Sequence, residues 1–362
     1  MTFLFFKEML FVLALIFGGC CSNVFTLEVM VRVVPSSGNL ITFAQFLFVA
    51  VEASLHQIKF QKSWWPFRLR DRVVPLKDWI IMVILFWSVS VLNNYALGFR
   101  ISMPLHIIFR SGSLLVSMII GYTFFNRRFS TRQVIGVLLV TFGVVISTYA
   151  SRKPTATHAD TIPEDIPISE FIMGICLLTL ALVISCFLGQ FQQHSAKYGK
   201  EWREGVFYMH ALCLPTFGLF YKDIMTQVNL FNQSELISIG ELIKSFCSNS
   251  FMINVYEFFQ LHLLNDIFFP ILWVALFMNM ITQYVCISGV SKLTSMASSV
   301  TVNLVLSVRK FMSLILSILL FKHQLTMGNI VGAILVIFGT IVYSIAPNAA
   351  LPSTSEVEKK NK

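Results

Sequence analysis

The sequence predicts an all-α polytopic membrane protein: ten transmembrane helices arranged as two inverted five-helix repeats. Three observations predict it. First, 56% of the 362 residues are hydrophobic and only 12% are charged, about half the charge of ordinary soluble domains. Second, apolar runs of near 20 residues, enough to cross about 30 Å of hydrocarbon, recur along the chain. They fall at about 9–30, 39–56, 78–98, 102–124, 132–150, 170–191, 205–222, 267–289, 294–320 and 327–346. Third, a polar, proline-containing stretch, "SRKPTATHADTIPEDIPISE" (151–170), divides these runs five and five.

The first run resembles a secretory leader, but it is long, shows no clear cleavage site, and is followed by nine more runs, so it is read as a retained span. The expected layout follows. A first repeat covers 1–150 and a lumenal linker covers 151–169. A second repeat covers 170–346, with a long lumenal loop at 223–266, and a cytosolic tail covers 347–362.

Orientation follows from Lys and Arg, which concentrate on cytosolic flanks. With the N-terminus in the cytosol, 17 of the 27 fall on cytosolic segments, 7 on the opposite face, and 3 inside spans. Both termini are therefore expected in the cytosol. The net charge of +9 reports this topology and does not point to nucleic acid. The loop at 223–266 carries "NQS", a glycosylation sequon at Asn232, on the face assigned to the lumen.

The halves repeat. "FSTRQVIGVLLVTFGVVIS" (129–147) matches "LTMGNIVGAILVIFGTIVY" (325–343) without gaps. Gly136, Leu139, Val140, Phe142 and Gly143 are identical to Gly332, Leu335, Val336, Phe338 and Gly339. Each glycine pair is spaced by two helical turns, which places both on one close-packing face. An odd number of spans per half inverts the second half relative to the first. Inverted repeats of this kind build transporters whose site lies near the midplane.

Two spans carry permanent charge. The fourth holds Arg110, within a stripe of His106, Arg110, Ser113, Ser117 and Gly121. The ninth holds Arg309 and Lys310, with Ser295, Ser299, Asn303 and Ser307 on the Lys310 face. A charge inside hydrocarbon is costly and usually faces a cavity or a partner. Glu28 and Glu52 are the available intramembrane counter-charges, and Gln45 shares a face with Glu52; two carboxylates leave part of three cations uncompensated. A phosphate suits the remainder, because the arginine fork is planar and bidentate.

Further polar groups are candidates for the rest of such a ligand. Asn94 and Tyr95 lie in "NNYAL", Asn279, Gln283 and Tyr284 in "NMITQY", and Tyr208 and His210 in "FYMHAL". Amides read bases and hydroxyls, and tyrosines stack on bases. Helix–helix hydrogen bonding is the competing role for each one. The seven cysteines show no disulfide framework or metal spacing, and the six in apolar spans read as small hydrophobes. No nucleotide-hydrolysing glycine loop, serine–histidine–acid set or metal cluster is evident. Neither a cofactor nor an enzymatic activity is therefore expected, and a gradient or exchange must drive transport.

These segments carry a resemblance. "GGCCSN", "NLITFAQFLFVAVE", "SVLNNYALGFRISMPLHIIFRSGSLL", "MNMITQYVCISGV" and "SVRKFMSLILSILLF" resemble the UDP-xylose/UDP-N-acetylglucosamine branch of the nucleotide-sugar transporters, in the drug/metabolite transporter superfamily. The resemblance implies ten helices, exchange of cytosolic UDP-sugar for lumenal UMP, and residence in the Golgi or endoplasmic reticulum membrane. It places the ninth-span "VRK" where the family has phosphate-contacting basic residues. "FYMH" is similar to the FYNN motif of GDP-sugar carriers, with Met209 and His210 in place of asparagines. The tail ends "KKNK", and Lys359 and Lys360 resemble a dilysine signal read by the retrograde coat. An adenine-nucleotide or other nucleotide exchanger is the alternative transport reading, and a membrane enzyme on a sugar or lipid phosphate the alternative outside transport. The expected partners are UDP-sugars, UMP, the bilayer and the coat, with a homodimer left open.

Overall fold

The computed structural model describes residues 2–60, 67–99, 101, 103–125, 128–150, 167–195, 198, 202–238, 268–296, 299–321 and 326–345. The described residues are overwhelmingly helical. Helices α1 (Thr2–Ala14) and α2 (Cys20–Val33) are joined by a π-helical stretch, Leu15–Gly19, and together make the first span. Next come α3 (Gly38–Gln57), α4 (Leu76–Leu97), α5 (Met103–Ser111), α6 (Ser113–Phe125), α7 (Thr131–Ala150) and α8 (Ile168–Ser195). The chain then forms α9 (Trp202–Ala211), α10 (Tyr221–Asn232), α11 (Ile271–Met296), α12 (Ser299–Phe321) and α13 (Met327–Ile345). Two short antiparallel strand pairs are present: β1 (Ile58–Phe60) with β2 (Phe67–Leu69), and β3 (Leu236–Ser238) with β4 (Phe268–Pro270).

Among the described residues, 8 helical segments are long and apolar enough to cross a membrane. They coincide with the expected spans one to six, eight and ten. The expected ninth span is present as α12, a helix of 23 residues. The expected seventh differs. Its helix α9 ends at Ala211, a tight 3-10 stretch carries Pro215, and helix resumes at Tyr221. Proline inside a helix removes a donor and crowds the preceding turn. The segment also continues as α10 to Asn232, so the first part of the stretch expected as a loop at 223–266 is helical.

The fourth span is broken as well. α5 stops at Ser111 and α6 starts at Ser113, with Gly112 between them donating its N–H to the Phe109 carbonyl at 2.9 Å. The stripe expected to run unbroken from His106 to Gly121 is therefore interrupted two residues after Arg110, at Gly112. Beyond the break Ser117 donates to Cys186 Sγ at 3.2 Å and so turns toward α8.

Glycine sets the closest helix pairing. α7 and α13 lie antiparallel. A Cβ on Gly136 would meet the Gly339 carbonyl oxygen at 2.7 Å, and one on Gly143 would meet that of Gly332 at 2.6 Å. Only a missing side chain permits that approach. The largest apolar cluster gathers Met30, Phe46, Trp79, Phe217 and Leu276, from five different stretches of chain.

Polar residues pin connections to this body. Glu204 is buried and accepts from the Val73 and Val74 backbone N–H groups at 2.9 and 3.2 Å and from Trp79 Nε1 at 3.1 Å. The start of α3 is met by α10: Gln227 Oε1 accepts from Leu40 N–H at 2.8 Å, satisfying a donor that a helix start leaves free.

Candidate functional site

α12 carries two adjacent cations, Arg309 and Lys310, at its midpoint, and helix geometry turns them about 100° apart. They meet different walls. Arg309 Nη1 lies 3.8 Å from Cys286 Sγ on α11, and Cys21 on α2 lies close enough to interact with its charge. Lys310 lines a small cavity with Ser111, Leu114, Ser307, Phe311 and Thr340, beside the break in the fourth span. The cavity is about 30 Å³, room for one water. Arg110, the residue of α5 most open to its surroundings, interacts electrostatically with both Arg309 and Lys310. The structure thus brings together all three cations read from the sequence.

Their mutual repulsion in a low-dielectric setting favours an anion among them. Arg309 Nε is buried without a hydrogen-bond partner, so a donor of the planar fork remains for a ligand oxygen. His106, one turn before Arg110, is also buried with Nε2 unpaired.

The two carboxylates considered as counter-charges have partners of their own. Glu28 is fully buried; Ser317 Oγ donates to its Oε2 at 2.6 Å, and Arg32 donates from Nε and Nη2 to Oε1 at 3.3 Å each. Arg32 also lies over the Phe321 ring, 4.4 Å from its centroid. Glu52 lies 3.4 Å from His56 Nε2, and Tyr284 lies close enough to interact with its charge. Alongside Glu28, a largely apolar groove of about 420 Å³ runs between α2 and α12, lined by Phe17, Cys21, Phe25, Ser313 and Phe321 among others.

Several sequence candidates lie away from the cations. Gln45 Nε2 donates to Asn279 Oδ1 at 2.6 Å, and Asn279 Nδ2 donates to the Asn23 carbonyl and Thr26 Oγ1 at 3.1 and 2.9 Å. These amides tie α2, α3 and α11 together. Asn94 is spent on Thr42 and Asn39 at the start of α3. Tyr208 stacks on Trp79 at 5.6 Å inside the apolar core. His210 binds the Val206 carbonyl at 2.7 Å and turns its ring edge toward Phe46 and Phe86. Tyr95 is exposed beside Phe220, and Gln283 is half-buried. Asn303 lies on α12, but its side chain is outside the described residues, as are Lys359 and Lys360. Asn232 closes α10 in an exposed position, its Oδ1 accepting from Trp273 Nε1 at 2.8 Å.

One feature beside the site contradicts the sequence reading. Cys20 and Cys286, taken as small hydrophobes, are joined in a disulfide across 266 residues. They meet because Gly19 and Gly289 let α2 and α11 approach closely. Their separation in the chain hid the pairing; the only local signals were the "GG" before Cys20 and the glycine three residues after Cys286.

Comparison with known proteins agrees with this architecture. Residues 8–346 match the family described as the UAA transporter family. The nucleotide sugar transporter SLC35B4 of Mus musculus is 39% identical, over 97% of this chain and 98% of its own. The UDP-xylose and UDP-N-acetylglucosamine transporter of Danio rerio is 40% identical, over 92% and 93%. The endoplasmic reticulum GDP-fucose transporter of Drosophila melanogaster is 38% identical, over 91% and 88%. With nearly its whole length matched by the family and by these relatives, the chain belongs to the UAA transporter family.

Proposed function

We propose that the protein is a nucleotide-sugar antiporter that carries UDP-N-acetylglucosamine, UDP-xylose or both from the cytosol into the Golgi or endoplasmic reticulum lumen in exchange for UMP. The observation that carries this reading is the meeting of Arg110, Arg309 and Lys310 inside the membrane body. A diphosphate supplies the charge and geometry that this cluster lacks. Similarity to a carrier named for these two sugars, over 92% of the chain, supports the choice of sugar.

The ten spans act as two inverted repeats of five. The reciprocal contacts of α7 and α13 support this, because each first glycine packs on the other helix's second. Such halves rock around a central site and expose it to one side at a time. Both termini lie in the cytosol, and the tail lysines Lys359 and Lys360 recruit the retrograde coat.

A GDP-sugar is the second reading, favoured by the GDP-fucose transporter among the relatives. Counterflow in proteoliposomes loaded with UMP or GMP separates them. External UDP-N-acetylglucosamine, UDP-xylose, GDP-fucose and ADP are offered in turn. Uptake of the UDP-sugars, accelerated by internal UMP, is the expected result. Equal uptake into empty and loaded vesicles would remove obligatory exchange from the reading.

A further inference from the structure

We propose that the Cys20–Cys286 pair is a thiol-redox site that sets how much of the Arg309 charge is available to substrate phosphate. The inference rests on the reading of Arg309 as a phosphate contact. Cys286 Sγ lies 3.8 Å from Arg309 Nη1. As half of a disulfide that sulfur is neutral and a poor acceptor, so the guanidinium is left to the substrate. As a thiolate it becomes an anion in contact with the guanidinium and competes with the incoming phosphate.

The exchange balances with a small dithiol as reductant. The dithiol's thiolate attacks Cys286 Sγ, the more accessible of the pair at 7% against 1% exposure. The S–S bond breaks, and Cys20 leaves as a thiolate and takes up a proton. The second reagent sulfur, having lost its proton, closes on the first, forms the reagent's cyclic disulfide and expels Cys286 as a thiolate. Two electrons pass from dithiol to protein, and Arg309 stands where the expelled charge appears. A diamide-type oxidant reverses the process. Cys21 also lies near Arg309, but it stays a free thiol and contacts Ser313 Oγ at 3.5 Å.

The test uses the full-length carrier in UMP-loaded proteoliposomes, with UDP-N-acetylglucosamine counterflow measured before and after dithiothreitol. Alkylation and mass spectrometry of the same vesicles report the state of Cys20 and Cys286. The expected result is a rise of about tenfold in apparent KM with little change in maximal rate, reversed by diamide, as befits one weakened ion contact. The Cys21→Ser carrier keeps this response. The paired Cys20→Ser, Cys286→Ser carrier shows the low KM and ignores dithiothreitol. Cys286→Asp combined with Cys20→Ser fixes an anion beside Arg309 and shows the high KM without reductant. Should that variant not fold, the reversible titration of the unmodified carrier decides alone. A pair already reduced in the native carrier, or a dithiothreitol response surviving loss of both cysteines, overturns the proposal. Arg309→Ala separates the two layers. Wild-type KM in that variant sinks the phosphate reading itself; a raised KM there, with a wild type that ignores dithiothreitol, sinks only the redox site.

Discussion

Gly143 faces Gly332 so closely that a Cβ on Gly143 would lie 2.6 Å from the Gly332 carbonyl oxygen. The contact recurs with the order reversed at Gly136 and Gly339. The two crossings join a helix of the first half to a helix of the second along their whole length. Gly143→Leu is therefore expected to push α7 and α13 apart, at an overpacking cost of about 1–3 kcal/mol or more. Thermal unfolding of the detergent-purified carrier measures this. Leucine at the exposed neighbour Phe142 is the control and should leave the midpoint nearly unchanged.

Arg110 and Arg309 should respond differently to loss of charge and loss of shape. On the proposed phosphate role, Arg110→Ala and Arg309→Ala are each expected to cost about 2 kcal/mol of transition-state binding, roughly thirtyfold in kcat/KM. Arg309→Lys keeps the charge but not the fork, and is expected to recover only part of that loss. Counterflow kinetics at matched protein density provide the check. Full activity of Arg309→Ala would take that residue out of the site.

Glu28 links α2 to α12 through Ser317, and its α2 neighbour Arg32 reaches the Phe321 ring of α12. Ser317→Ala removes one donor from a buried carboxylate and should destabilise the carrier by about 1–3 kcal/mol. Glu28→Gln loses the charge but stays isosteric, and is expected to loosen the α2–α12 contact without unfolding. Faster labelling of Cys21, buried beside Ser313, would report that loosening. Unchanged labelling would show that the contact does not depend on the carboxylate charge.

Asn232 tests the orientation. Its side chain is exposed at the end of α10, and a glycan can attach only if that face is lumenal. The carrier expressed in eukaryotic cells should lose mass on endoglycosidase treatment, and Asn232→Gln should migrate at the trimmed size. Fusing the sequon's face to a cytosol-only reporter that then lights up would reverse the assigned topology.

The tail lysines test the address. Replacing Lys359 and Lys360 with serine is expected to shift the carrier from the endoplasmic reticulum toward later Golgi compartments, seen by imaging beside markers. An unmoved distribution in a transport-competent variant would rule out the tail as the signal.

The sequence by itself determined what depends on composition and on short-range spacing. Helices that must bury their backbone polar groups in hydrocarbon announce themselves as apolar runs, so α2 to α8 and α11 to α13 were legible. So were the matched glycines of α7 and α13, because their spacing repeats within two short windows, and the three intramembrane cations, because a charge in an apolar run is conspicuous. The tertiary structure alone decided which polar side chains turn to the cations and which are consumed elsewhere. Gln45 and Asn279 look like ligand groups in sequence, yet they bond each other across 234 residues. Glu28 looks like a counter-charge for the centre, yet it holds Ser317 and Arg32. Cys20 and Cys286 sit in apolar runs like any small hydrophobe, and only the close approach of α2 and α11 joins them beside Arg309. Periodicity places a residue on a face of its own helix. The neighbour that face meets depends on how distant helices pack, and a polar atom removed from water takes whichever partner that packing provides.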